Sequence, residues 1–210
     1  MSARKSRNKA AGPISNALHQ RREAIKLAAK RLFASQGYMA TTIRQIARAA
    51  SMEGGSLYYH YRGKEEILLF MLSEGNRRLL DAAHRILAEA TDDPVETLSR
   101  LIREHVRITA NDHALFKISL ELYRLKGQSR RRIIEQRSEY EHIIQDVINA
   151  AIRKKRFRPC NVKVVSFGLF GYLNSVAFWF SPSGPLTIEQ IASQYVQSLL
   201  HGLLVSPPRT

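Results

Sequence analysis

Few residues in this chain have the types and spacing that chemistry requires. Glu139 and His142 stand in a Glu-x-x-His pair, the spacing of a carboxylate-bridged metal site. Such a site takes two of these motifs and further glutamates on facing helices, and only one is present, so a solvated helix face is the better reading. The seven histidines are scattered and form no His-Glu-x-x-His. Gly55-Ser56 and Ser183-Gly184 lack the strand and helix context of a nucleophile elbow. No glycine loop ending in Lys-Ser/Thr is present to cradle a phosphate. The single cysteine, Cys160, allows no intrachain disulfide and suits a reducing cytoplasm. No catalytic residue, metal or cofactor is expected, and the chain does not read as an enzyme.

A different chemistry is concentrated between Thr41 and Ile67, TTIRQIARAASMEGGSLYYHYRGKEEI. Arg44, Ser56, Tyr59 and His60 are candidates for base edges, Arg44 because its fork can grip guanine bidentately. The elements that position them follow from local rules. Thr42 and Gln45 make a Ser/Thr-x-x-Glu/Gln capping box, so a short helix is expected from Ile43 to about Ala50, burying Ile43, Ile46 and Ala47. Ser51 to Gly54 has the length of a tight interhelical turn. A second helix, about Gly55 to His60, offers one inward aliphatic, Leu57. Such a helix suits a major groove better than a core.

These residues resemble the signature of the TetR family of bacterial transcriptional regulators. The match runs through Thr41, Thr42, Ile43, Ile46, Ala47, Ala50, Ser51, Met52, Gly55, Ser56, Leu57, Tyr58, Tyr61, Lys64, Glu65 and Ile67. Ser51 stands where the family usually has glycine and must take a left-handed backbone at modest cost. Tyr61 replaces the usual phenylalanine. The resemblance implies that Thr42, Tyr58 and Lys64 grip phosphates, that Thr41 and Gly55 belong to the same interface, and that the protein is a homodimer on a palindromic DNA operator. It also implies repression relieved by a small molecule bound in the C-terminal domain.

The charge agrees. Residues 1–64 carry 13 Lys/Arg against 2 Asp/Glu, +11 of the net +15, so the excess sits where a polyanion would bind. Residues 1–18 read as a flexible basic arm in which Arg4, Lys5, Arg7 and Lys9 either follow DNA or merely solubilise. A composition of 44% hydrophobic and 24% charged residues is ordinary for a globular protein with a real core. No signal peptide is visible.

The fold expected is all-α: an arm (1–18), a helix-turn-helix head (19–66) and a C-terminal ligand-binding and dimerisation bundle (67–210), about nine helices in all. A supporting helix from His19 to Gln36 stops at Gly37. A long helix opens at Lys64, and others run from Pro94 to Ala110, Asp112 to Leu125 and Ser129 to Arg156. The stretch Val164–Phe180 is short for a bilayer and reads as a helix buried on nearly all sides, with no membrane role. The last helix, opened by a Thr187/Gln190 capping box, is expected to join it in the dimer interface.

The segment Trp179–Thr187, with Gln190, Tyr195 and Glu121-x-x-Arg124-Leu125, resembles TetR-type regulators of fatty-acid and steroid degradation. That implies an acyl-CoA or related CoA thioester as effector. Phe116, Tyr123, Phe167, Phe170 and Trp179 are the candidate apolar contacts, and Arg124 or the cluster Arg153–Arg158 the candidate partner for CoA phosphates. The same aromatics also read as plain core. The alternatives to this function are a TetR-type sensor of drug-like or aromatic compounds and a non-specific architectural DNA-binding protein.

Overall fold

The structure, a computed structural model, describes residues 13–204; Arg4, Lys5, Arg7 and Lys9 lie outside them. Nine α-helices and one 3-10 segment are present among the described residues, with no strand. The chain divides into two compact units, residues 1–67 and 68–210.

In the first unit α1 (Pro13–Ala40) begins within the stretch read as arm. It is broken at Gly37, whose φ of 82° and ψ of 160° interrupt the helix and cost any other residue strain. Ile25, Ala28, Ala29 and Phe33 are buried along it. Thr42 caps α2 (Ile43–Ala49) through the capping box expected from its sequence, and Ile46 and Ala47 are buried. Ser51 takes φ 54° to turn the chain. The following helix, α3 (Gly54–Leu57), is shorter than expected. Tyr58, Tyr59 and His60 fall in a tighter turn, their amides donating to the carbonyls three residues back, Gly55 at 3.3 Å, Ser56 at 3.3 Å and Leu57 at 2.9 Å. With only Leu57 buried from this segment, little packing holds it in α-helical form.

Lys64 opens α4 (Lys64–Ala88), and the amide of Arg62 donates to Glu66 at 2.6 Å. In the second unit α5 (Pro94–Asn111) is the central element, with α7 (Gly127–Arg153), α8 (Val162–Trp179) and α9 (Ile188–His201) packed on it. Leu98, Leu101, Ile102 and Val106 of α5 are fully or almost fully buried, the i, i+3, i+4 stripe of a core helix. The helix expected over 112–125 splits into α6 (His113–Ile118) and a 3-10 segment, Ser119–Arg124. Ser119 Oγ donates to the Phe116 carbonyl at 2.6 Å, a side-chain bond that competes with the helical ladder. Gly127, at φ 52°, starts α7.

The expectation that α8 is buried on nearly all sides does not hold. Ser166, Leu169, Leu173, Val176 and Ala177 are buried, while Val164, Phe167, Gly168, Gly171, Tyr172, Phe178 and Trp179 are exposed. By length and composition alone this helix could cross a membrane. Its buried face is instead core of the second unit.

Candidate DNA interface and effector cavity

The residues expected to read DNA are set by two short helices. Arg44 on α2 is exposed, Tyr59 is 91% exposed and Tyr58 59%, Gly55 is open, and Ser56 and His60 are half-exposed. Unusually large aromatic surface is thus turned to solvent beside a basic element, where no core claims it. Thr42 is exposed, but its hydroxyl donates to Gln45 Oε1 at 3.0 Å and accepts from the Gln45 amide at 3.2 Å, so its first role is the cap.

Two residues assigned to DNA by sequence are not free for it. Thr41 is fully buried; its hydroxyl donates to the Gly37 carbonyl at 2.8 Å and accepts from Gln36 at 3.2 Å, which closes the break in α1. Lys64 Nζ donates to the carbonyls of Tyr38 at 2.9 Å, Met39 at 3.2 Å and Thr41 at 3.0 Å and lies 4.5 Å from the Tyr38 ring centroid. Three donors on three carbonyls exhaust an ammonium. In this structure Lys64 therefore clamps the end of α1, with all three of its donors used there.

The second unit holds a partly open cavity of about 310 Å³. Phe116, Phe167, Phe170 and Phe178 give it an apolar wall, with Leu72 and Leu79 from α4 and Leu115 and Leu120 from α6 and the 3-10 segment. Gly75 on α4 permits the closure: a Cβ there would lie 2.6 Å from Leu115 Cδ2. Arg78 fastens the same pair of helices, donating to Glu74 at 2.9 Å and to Asp112, the cap of α6, at 3.1 Å.

A polar chain crosses the cavity wall. His105 of α5 places Nε2 3.0 Å from Asn174 Oδ1 on α8 and Nδ1 3.2 Å from Tyr140 Oη on α7. An amide oxygen only accepts, so the proton sits on Nε2, and Nδ1 accepts from the tyrosine. Burial lowers the His105 pKa to about 4 against the weaker opposing effect of Asn174. Burial, with the Glu104 charge behind it, raises that of Tyr140. Both are neutral near pH 7 and hold three helices in one register. The rings pack as well, His105 lying 6.0 Å from Phe170 and 6.1 Å from Phe116.

Of the residues read as ligand contacts, Phe116, Phe167 and Phe170 line this cavity, and Tyr123 and Trp179 do not. Tyr123 is 63% exposed, and Trp179 lies 6.4 Å from the Tyr195 ring at the far end of α8. The Arg124 side chain lies outside the described residues. Two members of the basic cluster are engaged elsewhere: Lys154 bonds Asp92, and Arg156 pairs with Asp93 at 3.4 Å. The polar lining residues His105, Tyr140, Asn174, Asn76, Gln136 and Arg137 were missed. Gln136, Arg137 and Tyr140 share one α7 face with Ile133 and Ile144, a faint signal of a mixed surface over a cavity. Among the described residues no group of acidic, histidine or cysteine side chains is arranged to hold a metal; Glu139 meets His84 at 3.8 Å on the surface.

One unit carrying a helix-turn-helix and a second, all-helical unit holding a partly open, largely apolar cavity define a ligand-responsive DNA-binding regulator. Residues 25–71 match "Bacterial regulatory proteins, tetR family" and residues 91–203 match "Tetracyclin repressor-like, C-terminal domain". The chain belongs to the TetR family and is a DNA-binding transcriptional regulator. It is 34% identical over 194 residues to the HTH-type transcriptional repressor KstR2 of Mycobacterium tuberculosis, covering 88% of this chain and 92% of that one. The solved structure of the ketosteroid transcriptional regulator KstR2 from that organism superposes with a TM-score of 0.81 at 31% identity, over 89% of this chain and 96% of that. AibR, solved in complex with isovaleryl coenzyme A and operator DNA, superposes with a TM-score of 0.76 at 27% identity, over 86% and 98% of the two chains.

Proposed function

We propose that this protein is a homodimeric repressor that leaves a palindromic operator when a CoA thioester places its acyl group in the cavity of the second unit. Residues 19–66 serve as the reading head and 67–210 as the effector and dimer domain. The observation that carries the effector class is the cavity: four phenylalanines around a space of about 310 Å³, at the low end for ligand sites. That space fits an acyl or ring group and leaves the nucleotide of CoA outside. Similarity over nearly the whole length to regulators named for ketosteroid control and to one solved with isovaleryl coenzyme A supports the same reading. A thioester that binds one conformation of the dimer better than the other lowers operator affinity by that difference.

Arg44, Ser56, Tyr59 and His60 meet base edges, and Thr42, Tyr58 and Gly55 the backbone. One such short segment reads only a few base pairs, so two copies about one helical turn apart are required. The exposed side of α8 with α9 supplies the pairing surface. The protein is non-catalytic and cytoplasmic. The test is a panel of CoA thioesters with the matching free acids, read by melting temperature and by release of operator DNA. Thioesters alone should raise the first and cause the second. A response confined to cationic or aromatic drug-like compounds would move the protein to the multidrug-sensing branch.

A further inference from the structure

The cavity contains polar groups that the protein itself does not satisfy. Asn76 Nδ2 on α4 and Gln136 Oε1 on α7 are buried without a hydrogen-bond partner, and both residues line the cavity. Leaving such groups unpaired is destabilising, so an apolar wall alone would have been served better by leucine at both positions. Beside Gln136 stands Arg137, also on the lining. Its only hydrogen bond among the described residues is a long one, Nη2 to the Ser119 carbonyl at 3.4 Å. The acid one turn along, Glu141, does not pair with it and accepts from Gln145 Nε2 at 2.7 Å. Among the described residues no carboxylate is paired with Arg137. Arg137 is an exposed residue at the open side of the lining, and the protein around it partly desolvates the guanidinium and lowers its pKa.

An arginine fork and the Asn76 amide donor facing one space are the complement of an oxygen-rich anionic group, while the Gln136 oxygen can only accept and suits a ligand N–H or O–H beside it. We propose that Arg137, with Asn76, forms an anion-recognising subsite on the lining of the effector cavity and selects effectors that bring a carboxylate or phosphate there, with Gln136 accepting from a neighbouring N–H or O–H of the same ligand. This rests on the thioester reading above and sharpens it. The anion has two possible sources: a carboxylate ending the acyl group, or a phosphate of the CoA arm. Arg137 also holds the 3-10 segment through Ser119, so an arriving anion competes with that carbonyl for the same fork.

The experiment measures calorimetric affinities of the full-length protein and its Arg137→Met and Arg137→Lys variants for three ligands: hexanoyl-CoA, adipoyl-CoA and hexanoyl-pantetheine. A wild-type preference for adipoyl- over hexanoyl-CoA assigns the acyl carboxylate; one for hexanoyl-CoA over hexanoyl-pantetheine assigns the phosphates. Whichever preference exists should shrink by about 10- to 100-fold in Arg137→Met and be partly kept in Arg137→Lys, which retains the charge without the fork. Preferences in Arg137→Met within twofold of wild type, with hexanoyl-CoA still bound, overturn the subsite and leave the thioester reading intact. Failure of all three ligands to bind the wild type overturns both. Asn76→Leu and Gln136→Leu add a second readout: the ligand-free melting temperature should hold or rise while affinity for the preferred thioester falls. A drop in melting temperature with unchanged affinity would make both amides structural.

Discussion

Lys64 Nζ sits 2.9 Å from the Tyr38 carbonyl and 4.5 Å from the centroid of the same residue's ring, so one side chain ties the start of α4 to the end of α1. Lys64→Ala should therefore lower the stability of the head by about 1.5–3 kcal/mol, the scale of hydrogen bonds to a charged group. The slope of log affinity against log salt should stay unchanged. Thermal melting and operator binding at several salt concentrations check both. A slope reduced by about one unit with normal melting would return Lys64 to the phosphate contacts.

Arg44 makes the opposite prediction. It is exposed on α2, and among the described residues no hydrogen bond or ion pair ties its guanidinium to the protein. Arg44→Ala should leave melting unchanged and cost about 1–3 kcal/mol on the specific operator, with a much smaller loss on random duplex. Competition binding at fixed salt separates the two; equal losses on both would make Arg44 a phosphate contact.

The exposed side of α8 carries Val164, Gly168 and Gly171 at i, i+4, i+7, and a Cβ at either glycine would meet nothing within 4 Å. Gly171→Arg should leave the protomer folded, since replacing a helical glycine adds about 1 kcal/mol of helix propensity. It should abolish the dimer in sedimentation and with it tight operator binding. A surviving dimer places the interface elsewhere.

His105 predicts a pH dependence. Its folded pKa, about 4, lies below the unfolded value near 6.5, so between those values the unfolded chain binds the extra proton and stability rises with pH. This contribution is complete above about pH 6.5. It is lost progressively as pH falls to about 4, up to about 3 kcal/mol for a shift of this size. Urea unfolding of wild type and His105→Gln across that window should show the variant lacking this part of the slope. Parallel curves would mean His105 titrates normally.

Much of this protein is written locally. The Thr42/Gln45 and Thr187/Gln190 capping boxes formed as their spacing demands, Gly37 broke its helix, and Ser51 turned left-handed, because caps and turns are decided within four residues. The head could be read for the same reason: its signature is short, ordered and contiguous. The second unit gave up its helices, through their 3.6-residue periodicity, but not their partners. Only tertiary packing decided that Lys64 serves the end of α1, since its acceptors lie more than twenty residues away. The same holds for the cavity. His105, Tyr140 and Asn174 come from three helices, 35 and 69 residues apart in the two hydrogen-bonded pairs, and no local pattern marks polar residues that meet only when α5, α7 and α8 close around one space.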